Sequence, residues 1–161
     1  MKTIPFPTDL LRVSHGSFKL RRDCWYLELN FHTFDLPNEY TDEFSDSYKD
    51  IETNFRIDFV ETGFNEICGK CVEFESPNNA VDGSVYIGHA HHPVDLIKVD
   101  GTQLPKKKKN PGHLNFDALI CFQFEGLGYS DGVEFEDTPC SFNLKLTPTK
   151  GGWDIEPTQP V

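Results

Sequence analysis

The residues best suited to chemistry stand between Gly83 and Asp95, where three histidines fall within four positions. His89 and His91 are two residues apart, and Asp95 follows His91 by four. Imidazole nitrogens and a carboxylate oxygen are the ligands that hold Zn, Mn or Fe(II) in proteins. The spacing therefore predicts a site for one divalent transition-metal ion, with His89, His91 and Asp95 as ligands and His113 as a further candidate.

The same stretch resembles the first motif of the cupin family, in which a glycine stands six residues before a His-x-His pair, as Gly83 does before His89. Asp95 occupies a place where cupins have Glu, and Pro111-Gly112-His113 resembles a shortened form of their second motif. The resemblance implies a small barrel that is a metal-dependent enzyme or a metal-binding protein. Two alternatives stay open: a surface turn that ends at Pro93, and a pH-sensing cluster of imidazoles.

An acidic segment is the second candidate site. Between Asp35 and Glu52 the chain has seven carboxylates and one lysine, interleaved with three aromatic rings four residues apart. That spacing would align the rings on one helix face, so we expect a short helix over Tyr40–Ile51. Rings that anchor by burial and charges that steer the encounter suit a basic protein partner. The predicted partner-binding residues are Tyr40, Asp42, Glu43, Phe44, Asp46, Tyr48 and Asp50. The alternative is that the rings cover the core and the acids only solvate a loop.

Two further motifs have less specific meanings. Cys68-Gly69-Lys70-Cys71 could be half of a zinc site or a redox pair, but its central Gly-Lys favours a two-residue hairpin with the cysteines facing each other. The run Lys106–Lys109 could form a polyanion patch, yet turn residues flank it, which favours a solvated hairpin tip.

Charge and composition restrict the partner and the compartment. Among 161 residues, 15 are basic and 26 acidic, for a net charge of −11, which disfavours nucleic acids and anionic membranes as partners. No apolar run approaches the roughly 20 residues of a spanning helix, and the first residues lack a secretory signal. The odd number of cysteines (five) and the absence of any Asn-x-Ser/Thr site also disfavour a secreted protein, so we expect a cytoplasmic protein with free thiols.

The function that these features favour is binding rather than catalysis. The sequence has no Gly-x-Ser-x-Gly, His-Glu-x-x-His or phosphate-binding glycine loop, so we expect no catalytic residues and no resident cofactor. In composition the chain resembles bacterial immunity and inhibitor proteins that neutralise basic toxins, which implies a basic protein partner. The alternative function is the metal-dependent one. Oligomeric state is left open.

Alternating polarity predicts strands almost throughout the chain. Fourteen phenylalanines against three alanines favour sheet over helix. Three apolar series have period two, which is typical of antiparallel strands with one solvent-exposed face. They are Trp25, Leu27, Leu29 and Phe31; Leu114, Phe116, Ala118, Ile120, Phe122 and Phe124; and Cys140, Phe142, Leu144 and Leu146. We expect one all-β domain over residues 1–147, an antiparallel sandwich or small barrel (jelly-roll-like included) of about nine strands with at most one short helix. We expect residues 148–161 to form a loose extension.

Overall fold

The computed structural model describes residues 2–37, 49–75, 81–87, 90–104, 112–124 and 133–157. The strands are β1 (Lys2–Pro5), β2 (Val13–Arg21), β3 (Cys24–Phe31), β4 (Glu52–Phe59), β5 (Cys71–Glu73), β6 (Val81–Ile87), β7 (Ala90–Gln103), β8 (Leu114–Phe122), β9 (Val133–Glu136), β10 (Thr138–Thr149) and β11 (Gly152–Ile155). One helix, α1 (Phe64–Ile67), and one 3₁₀ turn (Thr8–Leu10) are the other regular elements in this part of the chain.

Eight of the strands close into an antiparallel barrel in the order β2, β3, β4, β6, β7, β8, β10, β11 and back to β2. The closure depends on β7, which pairs with β6 through residues 90–93 and with β8 from Val94 to Gln103. Outside the barrel, β5 pairs with β7 and the separated β1 and β9 form a parallel pair. The all-β prediction is confirmed, in its barrel form.

The side chains that fill the barrel are those that the alternation places on its inner face. In β3, Leu27 and Leu29 are fully buried while Glu28 between them is exposed. In β8, the buried residues are every second one from Leu114 to Phe122. Apolar side chains therefore fill most of the lumen, and most polar residues of the strands face outward. Thr53, His92 and Asp95 are buried polar exceptions.

Helix α1 closes one end of the barrel. Phe64 stacks on Trp153, with ring centroids 5.3 Å apart, and Ile67 is fully buried. Gly101 allows α1 to pack this closely against β7, because a Cβ at that position would lie 2.4 Å from the carbonyl oxygen of Ile67. We call this end the α1 end; the turns at Arg22–Asp23, Val60–Gly63 and Lys150–Gly151 lie there.

The segment before β2 closes the opposite end. Phe6 is buried among Phe122, Phe124 and Phe135, with ring centroids 5.3 to 5.5 Å away. The Phe6 N–H donates to the hydroxyl of Thr138 at 2.9 Å. We call this end the acidic end, after five exposed carboxylates at its strand termini: Asp35, Asp50, Glu52, Glu136 and Asp137.

Residues 148–157 do not form the loose extension that we expected. β10 continues to Thr149, and β11 lies between β10 and β2 as the eighth barrel strand. The indole of Trp153 packs on the core and donates its Nε1–H to the Gly112 carbonyl oxygen at 3.1 Å. Glycine and proline are rare in strands, so the composition of this stretch predicted no strand. Its short strand is stabilised by tertiary contacts, which local composition does not show.

Local predictions around the helix also differ from the structure. Of the predicted helix over Tyr40–Ile51, residues 40–48 lie outside the described residues, and Ile51 forms an isolated bridge with Phe34. Cys68 directly follows α1 and Cys71 begins β5, so the hairpin prediction is wrong: a helix-to-strand turn joins the two cysteines. Within the described ranges, no helix combines the length and apolarity needed to cross a bilayer.

Candidate functional site

The acidic segment is attached to the barrel at a fixed base. Of its predicted contact residues, Asp50 is described, whereas Tyr40, Asp42, Glu43, Phe44, Asp46 and Tyr48 lie outside the described residues. At the base, the Ile51 N–H donates to the Phe34 carbonyl oxygen at 2.8 Å, and the Asp50 N–H donates to Oδ1 of Asp35 at 2.9 Å. These bonds join the two ends of the segment across the gap between β3 and β4.

Buried side chains hold this base against the core. Leu36 and Ile51 are buried, and the Phe34 ring lies 6.1 Å from that of Phe6. Asp50 adopts a left-handed φ of 50°, which aspartate tolerates better than most residues and which turns the chain into β4. The base is therefore positioned by packing and hydrogen bonds.

The carboxylates around this base have few cationic neighbours. Asp35, Asp50 and Glu52 are exposed, and Lys49 is the one basic residue among positions 35–52. Glu136 and Asp137 lie at the start of β10, at the same end, and Asp137 Oδ1 also accepts the Phe124 N–H at 2.9 Å. Among the described residues of this end, exposed carboxylates outnumber the cations Arg12 and Lys49.

The neighbouring histidines His91 and His92 face opposite sides of β7. His91 is exposed, its Nδ1 lies 2.8 Å from the Ser84 hydroxyl, and its ring contacts Tyr86 at a centroid distance of 4.8 Å. His92 is 1% exposed and packs against Phe124. Period two separates them, so they do not face a common point; His89 lies outside the described residues.

Asp95 is buried at 4% exposure and is hydrogen-bonded locally. Its Oδ1 accepts the Leu96 N–H at 3.0 Å, and its Oδ2 accepts from the Gln123 amide at 3.5 Å. Beside it, burial raises the pKa of Cys121, and the charges of Asp137 and Asp95 add to the rise.

The structure does not bring His113 to the other predicted metal ligands. Asp95 pairs with Cys121 near the acidic end, whereas His113 precedes β8 at the α1 end. Cys121 lies eight positions along the chain from His113, about 26 Å at 3.3 Å per residue. Among the described residues, no three His, Cys, Asp or Glu side chains form a cluster able to hold a metal ion. The metal hypothesis stays a prediction that depends on His89.

His113 instead lines a surface concavity of about 480 Å³ near the α1 end. Residues of neighbouring strands form its walls. The end of β7 is joined to the start of β8 by a hydrogen bond in which the Leu104 N–H donates to the His113 carbonyl oxygen at 2.9 Å. The remaining lining residues are Thr102, Leu114, Asn115, Lys145, Leu146 and Glu156.

A second concavity, of about 340 Å³, lies on the outer wall of β2, β3 and β4 and includes Arg21, Arg22 and Arg56. Arg56 donates to both carboxylate oxygens of Asp58, at 2.9 and 3.1 Å. These hydrogen bonds, followed by the charge of Asp58, raise the pKa of Arg56. Its guanidinium is already paired, so it is not an open anion-binding group.

The four cysteines whose pKa is shifted all have a raised pKa, so none of these four is an activated thiol. Burial raises the pKa of Cys68 to about 12 and that of Cys140 to about 11. Burial, followed by the charge of Asp58, also raises the pKa of Cys24. A nucleophilic cysteine needs the opposite shift, because the thiolate is the reactive form. All five cysteines are unpaired.

Sequence reasoning missed the surface at the α1 end. Leu20, Val60 and Leu104 are exposed there, and two of the barrel arginines, Arg21 and Arg22, stand beside Leu20. These residues are far apart in the chain, and only strand direction shows that they share an end. No protein-family model, curated protein or solved structure matches this chain.

Proposed function

We propose that this protein is a non-enzymatic binding module whose acidic end engages a basic protein, as immunity and inhibitor proteins do. The observation that carries the proposal is the anchored base of the acidic segment, where Asp50 and Ile51 are hydrogen-bonded to Asp35 and Phe34. A fixed base lowers the entropy lost on binding, because the carboxylates beside it are already positioned.

The filled lumen supports a surface role. Eight-stranded barrels can hold one small ligand when their interior is empty. Here buried rings fill both ends of the lumen, with Phe18 and Phe116 near α1 and Phe6 and Phe122 opposite. The half-buried Trp25 stacks on Phe18 at the α1 end. Contacts with a partner would then be made by the outer wall and the ends of the barrel.

Charge at the acidic end supports a basic partner. Exposed carboxylates around a fixed base attract a cationic surface at long range and raise the association rate. The predicted rings Tyr40, Phe44 and Tyr48 would supply the apolar anchors, because buried aromatic side chains carry much of the energy of protein interfaces.

The test is a binding measurement with defined probes. A panel of strongly basic globular proteins, with cytochrome c as its first member, is immobilised and the association rate of this protein is measured at about 50 and 300 mM salt. The variant Asp42→Lys/Asp46→Lys/Asp50→Lys is expected to associate at least about tenfold more slowly than wild type.

A matched control changes the charge by the same amount elsewhere. Glu66→Lys/Glu73→Lys/Glu75→Lys alters three exposed carboxylates, one in α1, one in β5 and one after β5. Its association rate should stay within about twofold of wild type. Association that is indifferent to salt, or slowed equally by both triple variants, would exclude the acidic end as the binding surface.

A further inference from the structure

We propose that the surface concavity lined by His113, Lys145 and Glu156 binds a free α-amino acid with an apolar side chain. The ligand class follows from what the lining offers, which is one cation, one anion, hydrogen-bonding groups between them and an exposed leucine. The inference is independent of the proposed function, because the concavity lies near the α1 end of the barrel and the proposed protein contact is at the acidic end.

The concavity has the size of a small-molecule site. Its volume of about 480 Å³ lies within the range of roughly 300–1,000 Å³ that is usual for such sites. Three of its residues, Thr102, Asn115 and Lys145, stand in one row across β7, β8 and β10. Neighbouring strands are about 4.8 Å apart, so this row spans about 10 Å. A hydrogen-bonded sheet therefore sets the spacing of the lining side chains.

Contacts between distant parts of the chain hold the edge of the concavity. The Leu104 N–H donates to the His113 carbonyl oxygen at 2.9 Å, and the Trp153 indole donates to the Gly112 carbonyl oxygen at 3.1 Å. Gly112 allows this close packing, because a Cβ at that position would lie 2.6 Å from the carbonyl oxygen of Leu104. Walls that are positioned before binding lower the entropy lost when a ligand binds.

Lys145 and Glu156 are neighbouring charges that do not pair with each other. The Glu156 N–H donates to the Lys145 carbonyl oxygen at 2.9 Å, so the two residues lie side by side. Both are exposed, and neither forms an ion pair with a residue that the structure describes. The Thr147 hydroxyl donates to Oε1 of Glu156 at 3.2 Å, and the adjacent Asp154 pairs with Lys19 at 3.8 Å. The lining therefore presents one ammonium and one carboxylate to a ligand.

Two half-buried polar side chains add hydrogen-bonding groups. His113 and Asn115 face outward, because Leu114 between them is buried in the barrel. Neither side chain is hydrogen-bonded to a residue within the described ranges. An amide and an imidazole can each donate to a ligand carboxylate. A few polar groups that converge on a concavity are typical of a site that orients a small ligand.

Leu104 supplies the apolar part of the lining. It is 48% exposed and is one of three large hydrophobic residues that the described ranges leave exposed. A ligand side chain that covers Leu104 removes apolar surface of both partners from water, which favours binding. This contact favours an amino acid with an apolar side chain over a polar one.

Neighbouring charges favour a ligand without net charge. Asp100 and Asp117 pair with each other across β7 and β8 next to the concavity, and both are exposed. They would repel a ligand with net negative charge, whereas a simple amine would leave Lys145 without an anion. A zwitterion places its carboxylate at Lys145 and its ammonium at Glu156. The arrangement therefore favours an amino acid over a simple acid or a simple amine.

The experiment titrates isotope-labelled protein with three ligands and follows backbone amide chemical shifts. The ligands are L-leucine, N-acetyl-L-leucine without the ammonium, and L-leucinamide without the carboxylate, at about pH 6.5, where an α-amino group is protonated. Leucine is expected to shift the amides of Asn115, Leu146 and Glu156 with a dissociation constant of about 1 mM. Each analogue should bind about three- to fivefold more weakly, because it loses one exposed ion pair.

Two variants assign each ion pair to its residue. Lys145→Gln should bind leucine about three- to fivefold more weakly and should no longer distinguish leucine from leucinamide. Glu156→Gln should show the same loss and should no longer distinguish leucine from N-acetyl-leucine. The controls Lys98→Gln and Glu73→Gln, at exposed positions of β7 and β5, should bind all three ligands as wild type does. Circular dichroism confirms that each variant is folded.

Several results would overturn the inference. They are an unchanged spectrum with leucine, shifts centred away from the concavity, and equal weakening by the control variants. N-acetyl-leucine that binds as tightly as leucine would show a simple carboxylate site, and leucinamide that does so would show an amine site. The proposed function fails separately, since Lys145→Gln and Glu156→Gln leave the acidic end and its binding of a basic probe protein unchanged.

Discussion

Replacing Trp153 with alanine tests whether the last strand completes the barrel. The Trp153 indole stacks on Phe64 at an interplanar angle of 19°, and its centroid lies 5.9 Å from that of Phe18 and 6.1 Å from that of Trp25. Its Nε1–H donates to the Gly112 carbonyl oxygen, 41 positions away in sequence. Alanine removes the three ring contacts and the hydrogen bond together.

The expected cost follows from these contacts. Truncating a buried tryptophan to alanine costs about 3–5 kcal/mol, and because Trp153 keeps part of its surface exposed we expect about 3 kcal/mol. Trp153→Phe keeps a ring against Phe64 and loses mainly the hydrogen bond, so its expected cost is about 1 kcal/mol.

The assay is urea unfolding followed by far-ultraviolet circular dichroism, which does not depend on tryptophan. Thr149→Ala, at an exposed position of β10, is the control and should change the free energy of unfolding by less than about 0.5 kcal/mol. A Trp153→Ala cost below about 1 kcal/mol would refute the placement of β11 in the barrel.

Three further predictions concern single sites. Replacing Arg22-Asp23 by Asn-Gly relieves two left-handed non-glycine positions and should raise the free energy of unfolding by about 1–2 kcal/mol, measured by thermal unfolding. Thr53→Val removes a buried hydroxyl that has no hydrogen-bond partner and should stabilise the barrel by about 1 kcal/mol in urea unfolding. Exposed Cys71 should react with iodoacetamide at pH 8 before half-buried Cys68, whose raised pKa of about 12 leaves little thiolate at that pH, as followed by peptide mass spectrometry.

Each of these has a contrary result. Unchanged or lowered stability of the Asn-Gly variant would mean that the turn is not strained. Destabilisation by Thr53→Val would show that its hydroxyl has a partner in solution. Faster alkylation of Cys68 than of Cys71 would show that α1 opens to expose its thiol.

The inward and outward positions of the strands could be predicted from sequence, because each depends on residues two apart in the chain. Leu27 and Phe116 are examples: the flanking polar residues identify them as inward, and both are fully buried. Barrel closure could not be predicted, because it depends on β7 pairing with both β6 and β8, and period two is the same in an open sheet.

Short elements were the least predictable. β11 has four residues and begins at Gly152, and its place depends on pairing with Phe18 and Pro148, which lie far apart in sequence. α1 also has four residues, and its packing against the barrel depends on Gly101 of β7. Tertiary contacts decide such elements, and local composition does not show them.

The candidate sites differ in what the sequence could show. The acidic segment is continuous, so its charge was visible, and the structure adds its anchor at Asp35 and Phe34. The metal-site prediction could be checked only with the pairing register of β7 and β8. That register shows that His91 and His92 face opposite sides of β7 and that His113 lies far from Asp95.

The most direct test of a working surface at the acidic end is a titration of isotope-labelled protein with a basic probe protein, followed by backbone amide chemical shifts. The amides of Asp35, Asp50, Glu52 and Glu136 are expected to shift, while those of Leu27 and Ile120 in the barrel wall stay in place. Shifts centred on barrel-wall amides, or an unchanged spectrum with every member of the basic panel, would contradict the proposal.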